Sequence, residues 1–76
     1  MGAMKRLGEK IRTLREYYGL SYRKLGAELE ASYSHLAGIE AGVVMPSVEL
    51  LYKIGEYFEV SFDDLLRDDR ELPLRP

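Results

Sequence analysis

The chain has 76 residues, a formal net charge of −2 at pH 7, no cysteine and one histidine, His35. Those bounds leave room for one small domain with a modest core, exclude disulfides, thiolate metal sites and cysteine nucleophiles, and leave a lone imidazole that cannot build a zinc site. No apolar run approaches the roughly 20 residues of a membrane span and no hydrophobic stretch of a signal peptide follows Met1 to Arg6, so the chain reads as a soluble, cytoplasmic protein that calls for no membrane, metal or cofactor.

Residues 1–3, Met-Gly-Ala ahead of Met4, read as a cloning remnant. Leu7, Ile11, Leu14 and Tyr18 then step by four, three and four, the inward stripe of an amphipathic helix over roughly residues 4–18. Gly19 suits the left-handed position that closes it. Ser21 is a good N-cap for a second helix, whose Leu25 and Leu29 face inward. Ser32 caps a third, with Leu36 and Ile39 inward and Gly42 at its end. After Val43–Pro46, Ser47 caps a fourth helix, with Glu49 near its positive end and Leu50, Leu51, Ile54 and Phe58 inward. Ser61 caps a short fifth helix that carries Asp63 and Asp64 in its first turn and Leu65 and Leu66 toward the core. Nothing alternates with period two for long, so no sheet is expected. Residues 68–76, with two prolines and many charges, read as a flexible tail or a linker to a further domain. No internal repeat stands out.

Charge is distributed unevenly. Residues 1–24 hold seven basic and two acidic side chains, whereas residues 25–76 hold four basic and eleven acidic ones. The basic end can form a local patch, or its charges can simply solvate helix faces. The carboxylates Asp63, Asp64, Asp68 and Asp69 belong to a helix start and the tail. A chain this short has no cleft to raise their pKa, so no enzyme is expected.

The pieces LGEKIRTLREYYGLS, YRKLGAELEAS, YSHLAGIEAG and PSVELLYKIGEYFEVSFDDLL, spanning residues 7–66, resemble in order the five helices of the lambda-repressor-like (Cro/CI-type) helix-turn-helix family. The resemblance implies an all-α, compact five-helix bundle over residues 4–67, with a helix-turn-helix formed by helices 2 and 3. It also implies a sequence-specific double-stranded DNA-binding transcriptional regulator, repressor-like and dimeric. It makes Arg15 and Glu40 a structural ion pair across the core, where a bidentate guanidinium would fix the angle between helices. It wants a small residue at Gly26 and usually a glycine at Glu30, a turn position that tends to need positive φ.

By the same resemblance the first residues of helix 3 read bases, here Tyr33, Ser34, His35, Ala37 and Gly38. None is Lys, Arg, Asn or Gln, the usual readers of base edges. Tyr33 can set its ring on a thymine methyl or offer its hydroxyl, Ser34 discriminates little, and Ala37 can only touch a methyl. Gly38 lets the backbone come near. His35 can donate to guanine N7 or a phosphate, or can turn away from DNA altogether. Phosphate contacts fall to Tyr22, where the family usually has Gln, and to Arg23, Lys24 and Ser32, with Lys10 and Arg12 as weaker candidates. The loop Val43–Pro46 lacks the usual cations. Its apolar residues are either tucked into the core, the favoured reading, or exposed for a partner. Dimer pairing is expected through Tyr52, Tyr57, Phe58, Phe62 and Leu66 of helices 4 and 5. The alternative function is a protein–protein interaction module on the same scaffold, antitoxin-like or a signalling partner, since a fold does not fix a function.

Overall fold

A computed structural model of the chain describes residues 5–74; the presumed cloning remnant at 1–3 lies outside the described residues, as do Met4 and residues 75–76. The described residues form five helices: α1 (Leu7–Tyr17), α2 (Tyr22–Leu29), α3 (Tyr33–Glu40), α4 (Val48–Phe58) and α5 (Phe62–Leu66). α1 packs on α3 and α5, α2 on α3 and α4, and α4 on α5. None is long and apolar enough to cross a membrane.

Four of the helices start as the sequence dictates. Ser21, Ser32, Ser47 and Ser61 have extended backbones, and their hydroxyl oxygens accept the N–H groups of Lys24, His35, Leu50 and Asp64 at 3.0–3.1 Å. Each cap satisfies one of the N–H groups a helix start leaves orphaned. Gly19, at φ +67°, and Gly42, at φ +79°, end α1 and α3 as expected. The inward stripes of all five helices meet in one core: Leu7, Ile11, Leu14, Leu25, Leu29, Leu36, Ile39, Leu50, Leu51, Ile54, Phe58 and Leu65 are buried, and Val60 joins them. Tyr18 departs from its stripe. The helix ends before it, and its ring is half-exposed, stacked on Phe58 with centroids 5.5 Å apart.

The turn between α2 and α3 is tight. Glu30 takes up the left-handed conformation (φ 58°, ψ 43°), and the next N–H, of Ala31, donates to the Gly26 carbonyl at 2.9 Å. A Cβ on Gly26 would lie 2.5 Å from the Ala31 carbonyl oxygen, so any other residue forces the backbone of the turn to shift. The turn between α4 and α5 is built the same way: Glu59 sits at φ 58°, and the Val60 N–H donates to Gly55 at 3.0 Å. The stretches GAELEAS (26–32) and GEYFEVS (55–61) are therefore one turn used twice.

Residues 68–74, expected to fray, lie instead against the start of α1. That helix lacks a side-chain cap of its own. Asp68 supplies one from the far end of the chain, its carboxylate accepting the N–H groups of Lys5 and Arg6 at 3.1 and 3.0 Å. Arg6 grips Glu71 through both terminal nitrogens at 3.1 Å, and Leu72 and Leu74 rest on the core. The Arg6 guanidinium holds the Glu71 carboxyl below its usual range. This exposed tie is thus present at neutral pH and lost as the pH falls through the carboxylate range. Lys10, considered above for a phosphate contact, is buried. Its ammonium donates to the carbonyls of Asp64 and Arg67, each at 2.6 Å, and so closes the C-terminal end of α5.

Three substitutions check this account by thermal unfolding. Gly26→Ala lowers stability by about 1–3 kcal/mol through overpacking, against its better helix propensity. Glu30→Gly raises it by about 1 kcal/mol by relieving the left-handed strain. Asp68→Ala lowers it by about 1 kcal/mol, the worth of a helix cap.

Candidate nucleic-acid interface

The site is built around one buried carboxylate. Glu40, the last residue of α3, has no exposed side-chain surface. Arg15 reaches it from α1 with both prongs of its fork, Nε to Oε2 at 2.8 Å and Nη2 to Oε1 at 3.2 Å. Arg12 adds a longer bond, Nε to Oε1 at 3.3 Å, and the Tyr22 hydroxyl of α2 donates to the same oxygen at 2.9 Å. Arg15 also donates to the Leu20 carbonyl at 3.0 Å, and its guanidinium carbon lies 4.1 Å from the centroid of the Tyr22 ring. The hydrogen bonds to Glu40 raise the pKa of both arginines above the ordinary guanidinium value. The expected Arg15–Glu40 pair is present and bidentate, and two partners the sequence reading missed complete it.

Tyr22 therefore stands elsewhere than expected. Its one hydroxyl hydrogen is donated to Glu40, so toward a phosphate it could offer only lone pairs. It belongs with the ion cluster, not with the phosphate candidates. Its ring meets the first side chain of α3, Tyr33, edge to face with centroids 5.3 Å apart and planes at 68°. That contact joins the first turns of α2 and α3.

On the outer side of those turns, Tyr33 is 58% exposed, Ser32, Ser34, Arg23 and Lys24 are exposed, and His35 and Ala37 are half-buried. The Ser32 hydroxyl caps α3 as an acceptor and keeps its hydrogen to donate. Lys24 lies 3.3 Å from Glu28 one turn on, a surface pair of little strength. Arg23 takes part in no ion pair among the described residues. His35 lines an open groove with Ser32, Ser47, Glu49 and Lys53, at the first turn of α4.

The C-terminal half of α3 corrects two readings. Gly38 was expected to let backbone approach DNA, but Val44 of the chain's own loop fills that space. A Cβ on Gly38 would sit 2.5 Å from Val44 Cγ2, and the N–H groups of Val43 and Val44 donate to the Gly38 carbonyl at 2.9 and 3.3 Å. The loop was expected to be partly tucked into the core. Instead Val43 is 81% exposed, with Val44 and Met45 also exposed, and only Pro46 is buried.

A helix-turn-helix family model matches residues 11–65 of the chain. The chain belongs to the helix-turn-helix family. It is lambda-repressor-like (Cro/CI-type) within it. This helix-turn-helix chain is 33% identical over 64 residues to an uncharacterized HTH-type transcriptional regulator of Archaeoglobus fulgidus, covering 83% of its own length and 91% of that protein. Among solved structures it resembles the P22 c2 repressor protein in complex with a synthetic operator, at TM-score 0.77 and 27% identity, covering 83% of this chain and 96% of that one. A transcriptional regulator from Listeria innocua shares the fold at TM-score 0.78 and 23% identity; the match covers 87% of this chain but spans 60% of that longer protein.

Removing Arg15 takes the bidentate partner from a carboxylate with no exposed surface, and removing Glu40 strands the mostly buried Arg15 guanidinium and the Tyr22 hydroxyl. Arg15→Ala and Glu40→Ala should each lower stability by about 3–5 kcal/mol, a large share of what so small a domain has, as read from denaturant unfolding. Arg12→Ala, whose side chain is half in solvent, should change stability by less than about 1 kcal/mol.

Proposed function

We propose that this chain is a sequence-specific, double-stranded DNA-binding transcriptional regulator, repressor-like, acting as a homodimer with α3 in the major groove. The observation that carries the reading is the joined first turns of α2 and α3. Arg23, Lys24, Ser32 and Tyr33 stand exposed there, beside the Tyr22–Tyr33 contact, on a platform fixed by Glu40. Family membership supports it, as does the likeness to a repressor solved with its operator.

The roles divide by chemistry. Arg23, Lys24 and the Ser32 hydroxyl grip phosphates, with backbone N–H groups at the starts of α2 and α3. Tyr33 and Ser34 meet base edges, Ala37 can touch only a methyl, and His35 stands at the groove beside the first turn of α4. So few base contacts call for two modules. Two-fold pairing sets the reading helices roughly 34 Å apart on a palindrome. The exposed aromatic side chains Tyr52, Tyr57 and Phe62 supply the pairing face; Phe58, 6% exposed, belongs to the core. One feature favours a second reading, a module for a protein partner: the apolar, uncharged loop Val43–Met45 stands in solvent.

Selection of bound sites from a random duplex pool, followed by gel shifts over a salt series, separates the two readings. A DNA binder returns a two-fold symmetric site whose affinity falls steeply with salt. A protein-only module retains no duplex even at low salt. Arg23→Ala and Lys24→Ala should each weaken binding to all sequences alike and reduce the salt slope by about 1. Tyr33→Ala should also flatten the preference among sequences, and an unchanged preference would remove α3 from base reading.

A further inference from the structure

We infer that Tyr22 is a positioning residue for base reading: it couples the buried ion cluster to Tyr33, so that the Tyr33 ring is held to read the C5-methyl of a thymine. The inference rests on the DNA-reading role proposed for α3. Tyr22 is restrained at both ends of its side chain. Its hydroxyl donates to Glu40 at 2.9 Å and its ring carries the Arg15 guanidinium at 4.1 Å, while Tyr33 abuts the same ring at 5.3 Å. Tyr33 is 58% exposed, and its hydroxyl bonds to no protein group among the described residues. A long aromatic side chain at an exposed helix start samples several rotamers, and ordering it on binding costs free energy. Resting on an immobile neighbour, Tyr33 is ordered before DNA arrives. What it then presents is an apolar ring, and the apolar feature of the major groove is the thymine methyl. Its neighbours Ser34 and Ala37 bring too few hydrogen bonds to override that preference.

The test uses the site selected by the wild-type protein, with each thymine replaced in turn by deoxyuridine, which removes the methyl and nothing else. One thymine in each half-site should cost the wild type about fourfold in affinity, the worth of burying one methyl group. Tyr22→Phe, which loses the bond to Glu40 and keeps the ring, should shrink that penalty. Tyr22→Leu, which loses both the bond and the ring, should abolish it. The Tyr33 ring resonances in the NMR spectrum of the free protein should shift and broaden in the same order. The inference is overturned if the wild type is indifferent to every replacement, or if both variants keep the full penalty and unchanged Tyr33 resonances. Should Tyr22→Leu fail to fold, Tyr22→Phe with the full penalty and an unmoved Tyr33 ring overturns it alone. If the wild type retains no duplex at all, the DNA-binding reading itself fails, a separate outcome.

Discussion

A carboxylate removed from water must be met by donors on every side, because an unpaired buried charge costs more than most single interactions return. Glu40, at the end of α3, satisfies that demand with donors from two other helices: Arg12 and Arg15 of α1 and Tyr22 of α2. Arg15 adds the connection between α1 and α2 by holding the Leu20 carbonyl. The angular demands of a bidentate guanidinium and a single hydroxyl leave few ways to satisfy this charge. α3 is thereby set at one inclination to α1 and α2.

The charge balance of the sequence takes on a different meaning once these partners are known. The excess of cations in the first 24 residues suggests a basic patch, yet four of them face other parts of the protein. Arg6 grips Glu71, Lys10 closes α5, and Arg12 and Arg15 serve Glu40. On the helix-turn-helix itself Arg23 and Lys24 are left facing solvent. Affinity for a polyanion scales with the number of phosphates neutralised, so one copy of the domain offers a weak grip, and the reading as a dimer gains weight from this scarcity as well as from the few base contacts.

What could be read in the sequence was local. Serine before an apolar stripe located four helix starts, and steps of three and four located the core, because both signals lie within one helical turn. The Arg15–Glu40 pair, 25 residues apart, came only through the family resemblance. Contacts that depend on where the chain returns were not legible: Asp68 capping α1, Lys10 reaching α5, Tyr22 turning to Glu40. Lys10 and Tyr22 were misassigned for the same reason. A polar side chain at the edge of a helical stripe can point inward or outward, and only the packing of a distant segment decides. The repeated turn was legible and was missed. Glycine, three residues, glutamate, then serine two places on occurs at 26–32 and again at 55–61, and one occurrence predicts the geometry of the other.

The second copy of that turn bears on how the domain assembles. A non-glycine residue in the left-handed region is strained, and each copy here is held by a helix whose glycine leaves no room for a Cβ without adjustment. The α4–α5 corner is thus held in the same manner as the α2–α3 corner, with more slack: an added Cβ would meet a backbone oxygen at 3.1 Å on Gly55 and at 2.5 Å on Gly26. Phe62 begins α5 at that corner, and Tyr52 and Phe62 line one shallow groove beside it. A rigid corner suits a pairing face for the same reason that it suits a reading head. Two half-sites on a duplex are a fixed distance apart, and a dimer matches that distance only if neither its pairing face nor its reading helices flex. Built twice from one local rule, the two turns stand where the proposed two-fold reading needs the pairing face and the DNA-facing helix to keep their spacing.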